Sequence, residues 1–260
     1  MINYIKNFIK AQIYKIYIGR YDYGQESLEA MSVVKGHTMS TPIDMATLYE
    51  LVIHVNKFKI EGDFVECGVW KGGSAGIMAL ANQRHDSGLS RRIQLFDLFD
   101  DIVAPDPDKD GPRAMDEVNK FLKKTGQSFA SYKDGNKPIS GIYDGHGGAG
   151  SVNIVKELLV NKIGASEASI NFHVGLFQDT LPNNEIEKIA ILRLDGDWYA
   201  SIKICLDHLY SKVVKGGVII IDDYYTYDGC KKAVDEFMEE NSITCFKCYS
   251  RPQTRFFFKN

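Results

Sequence analysis

The sequence is short of several things, and each shortage excludes a class of protein. Its five cysteines, Cys67, Cys205, Cys230, Cys245 and Cys248, are odd in number and scattered. That is not the disulfide framework of a small secreted domain, so a reducing cytoplasm is expected. Cys245 and Cys248 form a single C-x-x-C, but no second pair or nearby histidine completes a zinc site, and the spacing reads as chance. Basic charge is lacking too. A formal net charge of -3 leaves no electrostatic footprint for nucleic acid. No long apolar run is present. Near the N-terminus Ile2, Ile5, Phe8, Ile9 and Ile13 recur at near-helical spacing, but Lys6, Lys10 and Lys15 interrupt them. These lysines argue against a leader peptide or a membrane span. The segment reads as an amphipathic helix that packs on its own domain or on another subunit, with contact to a membrane surface as the lesser alternative, and a homo-oligomer is expected. Internal repeats and Pro/Gly/Ser-rich linkers are also missing, which leaves one domain with additions. We divide the chain into an N-terminal helical extension, 1–35, and a main domain, 36–260.

What is present is an alternation of strand and helix patterns. "TPIDMATLYELVIHVNKF" reads as a helix with Thr41 as N-cap and Pro42 at its first position. "GDFVECGVWKGGSAGIMALANQ" reads as a strand over Asp63 to Cys67, a glycine turn, and a helix from Ser74 onward. Further strands are expected in "RIQLFDLFDD" up to Asp97, in "SINFHVGLF", in "IAILRLDGD" and in "GGVIIIDDYY", with helices near 151–162 and 200–212. Alternating units of this kind build an α/β domain with a doubly wound, mostly parallel sheet. Residues 98–150 are too long and polar for an ordinary connection and read as a lid. The last twenty or so residues read as two strands around a Pro-containing turn, an antiparallel hairpin closing the sheet.

Ligands of open α/β sheets bind beyond the strand C-termini, where the chain reverses its winding, and the acids of this chain gather there. In "ECGVWKGG" the glycines Gly68, Gly72 and Gly73 let the backbone approach a ligand, and Glu66 puts a carboxylate at the strand end. A dinucleotide fingerprint would need a second glycine where Trp70 stands, so pyrophosphate binding is disfavoured. An acid before a glycine turn suits a cationic ligand, and the sulfonium and amino group of S-adenosylmethionine meet that description. Asp97, at the end of the next strand, stands where nucleoside binders place an acid against ribose hydroxyls. Asp100 and Asp101 read as solvated surface residues.

"LRLDGD" and "IIIDD" place Asp195, Asp197, Asp222 and Asp223 at two further strand ends. Crowded carboxylates raise one another's pKa and call for a compensating cation. All-oxygen ligation points to Mg²⁺, with Asp195, Asp222 and Asp223 as the ligands. Asp197 would reach the same cavity without ligating, or would cap the following helix.

Taken together, "GDFVECGVWKGG", "GLFQDTLP", "LRLDGDWYAS" and "GGVIIIDDYYTYDGCKKAVDEF" resemble, in order and spacing, the macrocin O-methyltransferase (TylF-like) family. The resemblance spans roughly residues 36 to 258. It implies a class I S-adenosylmethionine-dependent methyltransferase fold, a Mg²⁺ requirement, and methylation of a sugar hydroxyl of a glycoside, natural product or surface-polysaccharide precursor. By the same resemblance Asp195, Asp222 and Asp223 match the metal ligands and Asp197 the general base. The cofactor site would comprise Glu66, Gly68, Val69, Trp70, Gly72, Ser74, Asp97 and Asp195, with Gly175 and Phe177 of "GLFQDTLP". "HTMSTP", with Thr38 and Met39, looks like the segment that covers the cofactor. Two other readings stay open: a metal-dependent catechol-type methyltransferase, and a non-catalytic S-adenosylmethionine-binding or assembly protein. His146, alone in a glycine-rich stretch, reads as structural.

Overall fold

The computed structural model describes residues 23–260 except Lys133. The helical spacing over residues 2–13, and the assembly expected from it, lie outside the described residues. Among those described, no helix is long and apolar enough to cross a membrane.

The chain runs α1 (Gln25–Val33), α2 (Pro42–Lys57), β1 (Asp63–Cys67), α3 (Gly73–Arg84), β2 (Ile93–Asp97) and α4 (Gly111–Thr125). It continues through α5 (Val152–Lys156), β3 (Ile170–Val174), α6 (Phe177–Thr180), β4 (Ile189–Leu194), α7 (Tyr199–Leu209), β5 (Val213–Ile221), α8 (Asp228–Glu240) and β6 (Arg255–Phe258). The strands form one sheet in the order β3-β2-β1-β4-β5-β6, parallel except for the last pair. The doubly wound sheet expected from the sequence is therefore what forms.

The order reverses between β1 and β4. Residues Phe64 to Cys67 pair with Ile191 to Leu194 across that seam, so the turn after β1 and the acids after β4 emerge side by side. Every residue of β4 is buried, as befits a strand covered on both faces by helices. One apolar layer gathers α1, α2, α3 and α5; another gathers α7 and α8 against the opposite face.

Local chemistry explains the helix boundaries. The Thr41 side chain accepts from the Asp44 N–H while Asp44 reaches back to the Thr41 N–H, a complete capping box, with Pro42 pre-set at the first turn. Helix α1, in the described part of the extension, buries Ala30 and Met31 in the same core as α2 and α3.

Two regions carry detail beyond what the sequence patterns gave. In the C-terminal hairpin only β6 is a full strand, antiparallel to β5; the preceding arm is reduced to a single bridge between Cys248 and Phe256. The region 98–150 has structure of its own. It contains α4, whose Ala114, Val118 and Leu122 are buried, with Val118 and Leu122 joining Ala104, Tyr132 and Ile139 in a small core of their own. Its polar composition hid one apolar stripe on a largely charged helix.

Candidate active site

The glycine turn after β1 is shaped by close approaches that no side chain would survive. Gly68 has φ +88°, and a Cβ there would lie 1.9 Å from the carbonyl oxygen of Asp195. Gly72, at φ +84°, precedes α3 as its left-handed N-cap. Gly73 donates its N–H to the His37 carbonyl at 2.9 Å, and a Cβ on it would meet Thr38 at 2.4 Å. The 37–42 segment thus lies directly on the turn. Thr38 folds its hydroxyl back onto the Ser40 N–H at 2.9 Å, and Met39 is half exposed.

Asp97, at the end of β2, accepts from the Val69 N–H at 2.5 Å and the Trp70 N–H at 3.0 Å through one oxygen, and from the Phe99 N–H at 2.6 Å through the other. Burial pushes its pKa up while these donors pull it down. The contacts fix the turn, bracing Trp70 at φ 48°. The oxygen that takes both Val69 and Trp70 is filled, while the one that takes Phe99 keeps a lone pair for a further donor. Gly175, just past β3, donates its N–H to the Asp97 carbonyl at 3.0 Å, and Phe177 opens α6 with its ring over Gly196. Asp101, expected to be solvated, is buried instead and accepts from the Gly141 N–H at 2.6 Å and the Tyr143 N–H at 3.2 Å.

Glu66 is buried to 1 % exposure beside Ser74. Its Oε1 accepts from Arg193 at 2.9 Å, whereas Oε2 is buried without a hydrogen-bond partner among the described residues. Burial pushes its pKa up to about 8, against the pull of Arg193. Such an atom is costly unless a donor completes it.

Arg193 is the residue that motif reading missed. Set in the apolar run of β4, its guanidinium touches Glu66 at 2.9 Å, Asp195 at 2.8 Å and Asp222 at 2.9 Å. A second arginine, Arg251, binds the other oxygen of Asp222 at 3.0 Å and Asp44 at 2.8 Å. A charged residue between Leu192 and Leu194 was the available signal, because a fully buried strand carries an arginine only where acids await it.

Of the four acids singled out after β4 and β5, the structure groups Asp195, Asp197 and Asp223, each offering a carboxylate oxygen within 4.8 Å of the others. Asp222 stands aside, with both oxygens on arginines. The Asp197 backbone takes φ 55°, a left-handed conformation that returns its carboxyl to Asp195 across Gly196. Withdrawal from water pushes all three carboxyls up, Asp195 to about 6 against the pull of Arg193; repulsion adds to it, from Asp223 on Asp197 and from Asp222 on Asp223. No basic side chain pairs with Asp197 or Asp223 among the ion pairs of the described residues. An all-oxygen group in which two of three carboxylates have no basic partner fits a hard divalent cation.

The segment before α5 closes over the turn. Trp70 Nε1 donates to the Gly148 carbonyl at 3.2 Å, and Lys71 Nζ to that of Gly147 at 2.7 Å. His146 is exposed and contributes its backbone carbonyl to Lys71 at 3.4 Å. The five cysteines are free thiols.

The macrocin O-methyltransferase (TylF) family profile matches residues 20–132 and 151–246. The chain is 32% identical over 207 residues to demethyldecarbamoylnovobiocin O-methyltransferase of Streptomyces niveus, covering 80% of this chain and 70% of that protein. To mycinamicin III 3''-O-methyltransferase of Micromonospora griseorubida it is 26% identical over 213 residues, covering 80% and 72%. Among solved structures, the O-methyltransferase NovP superposes with a TM-score of 0.67 at 30% identity, covering 86% of this chain and 82% of that one. A glycine turn and an acidic group meeting at the β1/β4 seam, with the family profile spanning most of the sequence, lead to one conclusion: the chain belongs to the macrocin O-methyltransferase (TylF) family and is an S-adenosylmethionine-dependent O-methyltransferase.

Proposed function

We propose that the enzyme methylates a sugar hydroxyl of a glycoside, natural product or surface-polysaccharide precursor, and that the reaction requires Mg²⁺. The observation that carries this reading is the acidic group at the β1/β4 seam, next to a buried Glu66 oxygen that lacks a donor. The names of the similar proteins, O-methyltransferases of novobiocin and mycinamicin precursors, support a glycosidic acceptor.

In this reading Glu66 Oε2 accepts from the amino group of S-adenosylmethionine, and Asp97 accepts from its ribose hydroxyls. Gly68, Val69, Trp70, Gly72 and Ser74 line the turn against it, with Thr38 and Met39 above and Gly175 and Phe177 to the side. Asp195 and Asp223 would hold the cation, while Asp222, with both oxygens on arginines, holds Arg193 and Arg251 in place behind the site. A bound Mg²⁺ supplies Lewis acidity that eases proton loss from the acceptor hydroxyl. Asp197 accepts that proton on a carboxylate oxygen. The acceptor oxygen then forms its bond to the methyl carbon as the carbon–sulfur bond breaks, and the sulfonium charge is lost. Because charge is dispersed in this step, the protein contributes mainly alignment and exclusion of water. The 37–42 segment and residues 141–150 serve that exclusion.

The test is incubation with S-adenosylmethionine and a panel of glycosides and catechols, with Mg²⁺ or with EDTA, read by mass spectrometry. Gain of one methyl group on glycosides only, abolished by EDTA, is expected. Turnover of catechols alone would overturn the sugar assignment, and EDTA-resistant turnover would overturn the metal.

A further inference from the structure

The family profile passes over residues 133–150, yet the end of that stretch is built into the site. Its carbonyls at Gly147 and Gly148 receive the Lys71 and Trp70 side chains, and a Cβ at Gly150 would lie 1.8 Å from the Trp70 carbonyl oxygen. Such contacts hold the stretch against the cofactor turn. At its centre is Tyr143. Its N–H donates to buried Asp101 at 3.2 Å, and its carbonyl accepts from the His146 and Gly148 N–H groups at 2.8 and 2.9 Å. The backbone is therefore pinned from both sides. The ring leans on Trp70, with centroids 6.4 Å apart and planes at 57°. The hydroxyl makes no hydrogen bond with the described residues, although the carboxylates of Asp197, Asp97 and Asp195 all act on it electrostatically.

We propose that Tyr143 is an acceptor-binding residue: its ring covers the apolar C–H face of the sugar, and its hydroxyl donates to a sugar oxygen beside the one that is methylated. This rests on the sugar reading above and names the part of the chain that selects the sugar. A rigidly held aromatic against the Trp70 turn offers an apolar face and one polar tip, the combination that fixes a polar ring in a pocket. A phenol kept neutral by burial, and then by the surrounding acids, donates and does not compete for the proton that Asp197 takes. The stretch lies outside the family profile, so acceptor choice is carried by a segment that the profile does not describe.

The experiment places 3-fluorotyrosine at position 143 of the full chain and follows its ¹⁹F resonance with S-adenosylhomocysteine, then with methyl glycosides and catechol added. A shift on adding a glycoside to the S-adenosylhomocysteine complex is expected. In parallel, Tyr143→Phe should keep S-adenosylhomocysteine affinity within about twofold. It should raise KM for the methylated glycoside about tenfold with kcat nearly unchanged, and erase the preference for that glycoside over its neighbouring deoxy analogue. A full shift with S-adenosylhomocysteine alone would place the residue in the cofactor site and overturn the proposal. No glycoside shift, in a protein whose wild type methylates glycosides, would overturn it and leave the sugar reading standing. Methylation of catechol alone, with a shift on catechol, would overturn both the sugar reading and the sugar-binding role.

Discussion

The strand ends of the sheet and the segment 98–150 form two walls of the candidate site, held by different physical means. At the strand ends, position comes from backbone pairing. Once Phe64 to Cys67 lie in register with Ile191 to Leu194, Glu66, Gly68 and Asp195 have little freedom left. The segment instead depends on a satellite core around Leu122 and Ile139 and on a few pins to the domain. Asp110 accepts from the Tyr199 N–H at 2.6 Å, and Trp198 Nε1 donates to the Val103 carbonyl at 2.9 Å. In the proposed reading, chemistry resides on the stiff wall and acceptor selection on the wall that is easier to rebuild.

The largest effect should come from the stiff wall. Asp197→Asn is expected to lower turnover by about 10² to 10⁴, the range of a lost general base, while S-adenosylhomocysteine affinity measured by calorimetry stays the same. Normal turnover would reduce Asp197 to a turn residue.

A pair of variants sharpens the division among the acids. Asp223→Asn should raise the Mg²⁺ concentration for half-maximal activity by about tenfold or more, since it removes one carboxylate from the cluster. Asp222→Asn leaves Arg193 and Arg251 short of a partner, so its main effect should be a lower unfolding temperature. Titration with Mg²⁺ and thermal melts of both proteins decide the matter. Equal shifts in metal requirement would make Asp222 a ligand on the same footing as Asp223.

On the other wall, Leu122→Ala empties a fully buried site and should cost about 2–5 kcal/mol of local stability. Hydrogen exchange should rise across 104–139 while β1, β4 and β5 stay protected. Equal loss of protection in the sheet would show that the two walls fold as one unit.

The smallest effect concerns pH. Buried Glu66 titrates in the folded protein at about 8, above its ordinary 4.5. The folded state thus holds a proton that the unfolded chain releases, and stability of the cofactor-free protein falls as pH rises through that window. The penalty is absent below the lower value and complete above the upper one. Glu66→Gln should flatten the decline in melting temperature over this range, and an unchanged slope would remove Glu66 as its source.

Much of the first wall was legible because its signals are local. The glycines of "ECGVWKGG", the apolar runs ending in acids and the Thr41–Pro42 cap each follow from one residue's backbone or hydrogen-bonding preference. Helix α4 was missed because three buried positions, Ala114, Val118 and Leu122, are spread among charged neighbours and bury against a core too small to announce itself. Asp101 was misjudged for a related reason: its partners, Gly141 and Tyr143, lie some forty residues away.

The sequence by itself determined the alternation of strands and helices, the glycine turn and the presence of acids at the strand ends, because periodicity and turn chemistry are properties of short stretches. Tertiary structure alone decided how the acids divide. Asp222 and Asp223 are neighbours in the chain, yet one faces Arg193 and Arg251 while the other joins Asp195 and Asp197. That division depends on which strand lies beside which and on what the C-terminal turn delivers to the same place. Charges separated by long stretches of sequence meet only after the sheet has formed, and their pairing is written in its register.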